Sequence, residues 1–140
     1  MKKLIYLLPL IILFTGCLKT DTRESEPLVP FGNFTGKFTR THTDPATLAK
    51  TITTANIQLG MTTNGFTVNS DADAVHVNGG GEFLGNQISI DFDDPNYPAT
   101  GTVTKAYLHG NYSYTFNGSD FKLTQSAGND LYEYVLVKKF

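Results

Sequence analysis

From residue 31 to the C-terminus, apolar and polar positions alternate with a period of two. In 32–40, Phe34, Gly36 and Phe38 share one face, while Asn33, Thr35, Lys37 and Thr39 share the other. Ile57, Leu59 and Met61 alternate with Asn56 and Gln58; Ile88, Ile90 and Phe92 fall on one side, as do Tyr112, Tyr114 and Phe116, and Phe121 aligns with Leu123. Side chains of a strand point alternately to its two faces, so each pattern predicts a strand with one buried face and one wet face. Asn64-Gly65 and Asn117-Gly118 sit between such runs, and Asn-Gly tolerates the positive φ of tight hairpins. A turn is also predicted at 126–130, and a bend or bulge at the glycines of 78–81.

Eight strands follow, near 32–41, 54–62, 65–70, 74–78, 82–93 (with a possible split), 106–116, 120–125 and 131–138. Helical periodicity has one candidate, 44–55, with Asp44 as N-cap and Pro45 at the first helical position. Its Thr-rich end limits it to one or two turns. A chain of hairpins, each with one apolar face, needs a second sheet or closure, and closure removes the open edges. The expected fold is therefore all-β: a small antiparallel up-and-down (meander) barrel of about eight strands. It occupies 31–140 as one domain.

The first 30 residues follow a different rule. Lys2 and Lys3 precede an uncharged run from Leu4 to Phe14, mostly Leu and Ile, and then the small residues Thr15 and Gly16. Charge, apolar core and small-residue site are the layout of a secretory signal, here 1–16. The run is about half the roughly 20 residues a spanning helix needs. Cys17 is the only cysteine. Phe14-Thr15-Gly16-Cys17 resembles the bacterial lipobox, with Phe14 where that motif usually has Leu, Val or Ile. The resemblance implies cleavage before Cys17, lipidation of its thiol and attachment to the cell envelope, with the outer membrane as the expected site. Capping by lipid also explains a lone thiol in an oxidising compartment.

Residues 17–30 then read as a lipidated flexible tether, polar and Pro-containing. Asp21, Glu24 and Glu26 resemble the acidic surface-export tract of Bacteroidetes lipoproteins, and they read equally as a solvated linker. The 13 acidic residues outnumber the 11 basic ones, and two of the lysines lie in the signal. With no basic cluster, nucleic-acid binding is not expected.

Gly32-Asn33-Phe34 resembles the G-x-W opening of lipocalins, with Phe in place of Trp, and 108–139 is similar to the closing meander of calycin-type barrels. The whole resembles small lipocalin-like lipoproteins of Bacteroidetes. The chain has no Trp, and Lys138 or Arg40 would have to replace the closing-strand Arg of that family. The resemblance implies a barrel that takes up a small apolar or amphipathic ligand. Alternation assigns the lining to Phe38, Met61, Phe66, Phe92, Tyr112, Tyr114 and Tyr134. Aromatics make up 12% of the chain, enough for rings to fill a small barrel outright, so the alternative is a packed barrel whose loops meet an envelope protein or glycan. Tyr97, Tyr107 and the 78–81 loop would be its contacts.

Catalytic and metal chemistry finds little footing. His42, His76 and His109 are far apart and lack metal-ligand spacing, and alternation points His76 and His109 to solvent. Asp91, Asp93 and Asp94 gather oxygen near Asn96, which leaves calcium open, although Asp-Pro-Asn is also ordinary turn chemistry. Asp91 and Asp93 share a face, which suits paired carboxylates for acid–base work and, more readily, a solvated strand end. No nucleophile elbow or phosphate loop is present, and neither enzymatic activity nor a cofactor is expected.

Overall fold

A computed structural model describes residues 29–140. The expected signal, Cys17 and the expected tether up to residue 28 lie outside the described residues. Eight strands run in chain order: β1 Gly32–Thr43, β2 Lys50–Thr62, β3 Gly65–Ser70, β4 Gly79–Gly85, β5 Ser89–Asp93, β6 Gly110–Phe116, β7 Asp120–Ala127 and β8 Asp130–Lys139. Each pairs antiparallel with the next, and β8 returns to β1, closing an up-and-down barrel. Phe38 faces Ala55 of β2 and Tyr134 of β8; Phe34 faces Leu59 and Lys138. The expected all-β meander is thus the fold observed.

The period-two pattern selects what goes inside. Phe34, Phe38, Ile57, Leu59, Phe92, Tyr112, Phe121 and Tyr134 are buried to 1% exposure or less. Their neighbours Lys37, Asn56, Gln58, Asp91, Asn111 and Lys122 are exposed. A transmembrane barrel presents an apolar outer band and a polar interior; this barrel has the opposite arrangement.

Alternate connections fall at opposite ends. One end carries the turns β2–β3, β4–β5 and β6–β7 together with the start of β1 and the end of β8, and we call it the tether end. The other carries the longer segments 71–78 and 94–109, and we call it the capped end. At the tether end the Asn117 side-chain oxygen accepts the amides of Ser119 and Asp120, while Gly118 takes φ +97°. Few residues other than glycine take that conformation at low cost.

The strand boundaries differ from the sequence expectation at 44–55, at 74–78, at the glycines of 79–81 and at the start of β6, and the possible split of 82–93 is realised. No helix forms at 44–55: the Asp44 carboxylate accepts the amides of Ala46 and Thr47 in a short turn, and β2 starts at Lys50. The β-branched run Thr51–Thr54 pairs with the extended end of β1, which wins over weak helical propensity. Residues 74–78 are not a strand; the amides of Val75 and His76 both bond to the Ala72 carbonyl in a turn. The glycines expected as a bend instead open β4, where they allow close strand approach. The long 82–93 run splits at Asn86, whose side-chain oxygen accepts the amides of Ile88 and Ser89. Finally, β6 begins at Gly110 rather than 106, because 94–109 crosses the barrel mouth.

Candidate functional site: the capped end

Two segments close the capped end. His76 and Ala106 form a parallel bridge, with Val77 N–H on the Ala106 carbonyl at 2.9 Å and Ala106 N–H on the Val75 carbonyl at 2.8 Å. The bridge lowers His76, Ala106 and Leu108 into the mouth, each at most 2% exposed. His76 was expected to face solvent. It is fully buried because the segment turns at Ala72 and pairs with Ala106 instead of continuing a strand. His109, also expected at the surface, is half-buried, stacked on Tyr97 at 4.0 Å between ring centres.

A buried imidazole needs its polar atoms satisfied. His76 Nδ1 lies 2.8 Å from the Val77 carbonyl oxygen, which only accepts, so Nδ1 carries the proton. Nε2 is then the acceptor for the Tyr134 hydroxyl at 2.7 Å. The Tyr134 and Tyr112 hydroxyls are hydrogen-bonded to each other. Burial drives the His76 pKa down to about 4, while the Val77 carbonyl and the charge of Asp94 pull it back. Burial also raises both tyrosines well above the ordinary phenol range. The ring of His76 meets Phe38 edge-on at 4.9 Å. The group is a neutral, satisfied polar seam inside an aromatic core.

Beside it, Asp94 is 2% exposed. Its Oδ1 accepts the Asn96 amide, whereas Oδ2 is buried without a hydrogen-bond partner among the described residues. A Cβ at Gly79 would collide with Oδ2, so glycine is what lets the carboxylate sit there. Asp91 and Asp93 point out to solvent and Asp94 points in, so the three carboxylates do not converge. Among the described residues no group of three His, Cys, Asp or Glu side chains is placed to hold a metal ion.

The rim of the same end holds a second cluster. Arg40 grips Asp130 through two bonds of 2.9 and 3.0 Å, His42 Nδ1 lies 2.9 Å from the same carboxylate, and Arg40 also donates to the Thr104 carbonyl. The paired guanidinium holds the Asp130 carboxyl below the usual carboxylate range. This clamp ties β1 and β8 to the 94–109 segment. Arg40 is therefore at the far end of β1 from Phe34, whereas Lys138 lies opposite Phe34 in the β1–β8 pairing.

Of the lining residues expected from alternation, Phe38, Met61, Phe66, Phe92, Tyr112 and Tyr134 all face the interior and are at most 3% exposed. Tyr114 is half-buried near the tether end, with its hydroxyl on the Asn86 carbonyl at 2.8 Å. The interior residues touch one another. Phe66 meets Phe92 at 5.0 Å, Phe92 meets Tyr112 at 5.9 Å, Tyr112 meets Tyr134 at 5.7 Å, and Tyr134 meets Phe38 at 4.9 Å. An open depression of about 800 Å³ lies on the outer wall instead, among Lys37, Asn56, Gln58, Asn69 and Asp71. Sequence reasoning missed His76, Asp94 and the Arg40–Asp130 clamp. The one available signal was that Val75-His76-Val77 sits between turn residues, where a histidine is as free to turn in as out.

The fold and this end define a class of protein: a closed, aromatic-filled, all-β barrel with a polar wall and a capped mouth. No protein-family model matches the chain, and no curated protein or solved structure matches it either.

Proposed function

We propose that this is a non-enzymatic, lipid-anchored barrel of the cell envelope that works through its outer surface. The observation that carries the surface reading is the chain of ring contacts from Phe66 to Phe38, which occupies the volume a guest would need. The anchor reading rests on the signal-like leader and the lipobox-like Phe14-Thr15-Gly16-Cys17. An envelope protein or glycan would meet the polar wall or the Tyr97–Tyr107 pair, whose rings lie edge-to-face at 5.5 Å. The barrel then serves as a rigid carrier for those surfaces.

A second reading, uptake of a small apolar or amphipathic ligand as in lipocalins, is favoured by one feature. His76, Tyr134 and Tyr112 place polar groups within an otherwise apolar interior, directly under two loops. A guest would enter by displacing 71–78 and 94–109.

Titration of the native protein with a fatty acid and with 8-anilinonaphthalene-1-sulfonate separates the two readings. The surface reading expects no saturable binding by the wild type. It expects binding to appear in Phe34→Ala, where truncation opens a cavity. Saturable wild-type binding with resonance shifts at Phe38, Tyr112 and Tyr134 would establish the second reading and defeat the first.

A further inference from the structure

We propose that the tether end of the barrel rests on the lipid surface, with the β4–β5 hairpin as its contact. The inference rests on the anchor reading and adds an orientation to it. The described chain begins at Val29, which is buried, and a Cβ on Gly85 would collide with its side chain. The tether is therefore pinned to the β4–β5 hairpin. That hairpin carries Leu84, 81% exposed, and Ile88, 73% exposed. Just inside it, Phe31 packs against Phe83 at 6.2 Å. The place where the tether joins thus coincides with two of the strongly exposed apolar residues at that end.

Charge points the same way. Lys138 and Lys139 finish β8 at this end, and neither forms an ion pair among the described residues. The acid in these turns, Asp120, is engaged by the Asn117 side-chain amide at 2.8 Å. The capped end carries Asp44, Asp71, Asp73, Asp93 and Asp130 beside Arg40, Lys50 and Lys105; Arg40 pairs with Asp130 and Lys105 with Asp73, so these acids outnumber those bases by two. An anionic leaflet attracts basic residues within a Debye length and repels such an acidic rim.

The length of the tether favours the contact. A lipid on Cys17 would be a dozen residues from Val29, and a coil of that length, as the polar composition leads one to expect, averages roughly 20 Å end to end. Confinement at that range holds the hairpin at high effective concentration near the interface. Two aliphatic side chains and two lysines suffice to bias a body that is already tethered, whereas alone they would bind marginally.

The test uses the full lipidated chain on vesicles of phosphatidylethanolamine and phosphatidylglycerol. Cys17 is consumed by lipid, so a cysteine introduced by Leu84→Cys, Ile88→Cys or Tyr97→Cys is the only thiol available to a fluorophore. Labels at 84 and 88 should shift to the blue and be quenched by nitroxide-bearing lipids, and a label at 97 should do neither. A label introduced by Gln87→Cys should lose its quenching when Leu84→Asp and Ile88→Asp are combined, while the protein still floats with the vesicles. Equal quenching at 84, 88 and 97, or none at any of them in floating protein, overturns the orientation alone. A chain that does not float overturns the anchor reading and this proposal with it.

Discussion

Acidification should destabilise this protein through His76. The ring is neutral when buried and its pKa falls from 6.5 to about 4. In the unfolded chain it returns to about 6.5. Between these values the unfolded state binds a proton that the folded state refuses. Stability therefore rises with pH across this window and is lost as pH falls from about 6.5 toward 4. The groups facing the ring are the Tyr134 hydroxyl, the Val77 carbonyl, Phe38 and, by charge, Asp94. Asp94 opposes the effect by favouring the charged ring, and burial outweighs it. With each pKa unit worth about 1.36 kcal/mol, the loss between pH 7 and 4.5 is roughly 2–3 kcal/mol. That is a large share of the 5–15 kcal/mol typical of a domain. The carboxylates of Asp44, Asp71 and Asp130 are also depressed, and their stabilisation is lost only as pH falls below about 3.8, outside this window. Urea denaturation at half-unit pH steps, followed by tyrosine fluorescence, reads the slope. His76→Gln has no proton to gain and should show a flatter profile between pH 6.5 and 4.5, whatever its stability at pH 7. Parallel profiles for wild type and His76→Gln would refute the argument.

Three further outcomes are expected. Phe34→Ala should cost about 3–5 kcal/mol and Thr35→Ala roughly half a kcal/mol or less, because one faces the core and the other the outer wall; equal losses in chemical denaturation would contradict the register. Tyr134→Phe leaves His76 Nε2 buried without a donor and should cost about 1–3 kcal/mol, with calorimetry showing the loss and an unchanged far-ultraviolet spectrum showing the fold intact. Cys17→Ser should accumulate an uncleaved or mislocalised precursor, and a mature, cleaved variant that still partitions into detergent would end the lipidation proposal.

The barrel wall was legible because period two is a strong signal. Phe34, Phe38, Ile57, Leu59, Tyr112 and Leu123 are all assigned inward by alternation alone and all are buried. The capped end was not legible, for a physical reason. His76 is buried by a turn at Ala72 and by pairing with Ala106, 30 positions away in the chain. Alternation describes a segment only while it stays extended. Where 74–78 turns, the rule that places Val75 and Val77 inward assigns His76 to the wrong side. The Arg40–Asp130 clamp spans 90 positions and leaves no local trace. The glycines at 79–81 mislead in another way. Glycine marks both bends and close strand approach, and here the second applies: a Cβ on Gly80 or Gly81 would clash with the backbone of the neighbouring strand.

The seam between the two capping segments has a consequence for how the barrel breathes. Val75, Val77 and Ala106 share two backbone hydrogen bonds, and each is the other segment's partner. Lifting either segment alone would break both bonds, so the two are expected to open together as one hinged piece. Its underside is fastened by the His76–Tyr134 bond to β8, a wall strand. The amides of Val77 and Ala106 should then exchange with solvent deuterium at a common rate, set by a single opening event. Such an event need not disturb the β1–β8 closure, and the barrel can uncork without unrolling.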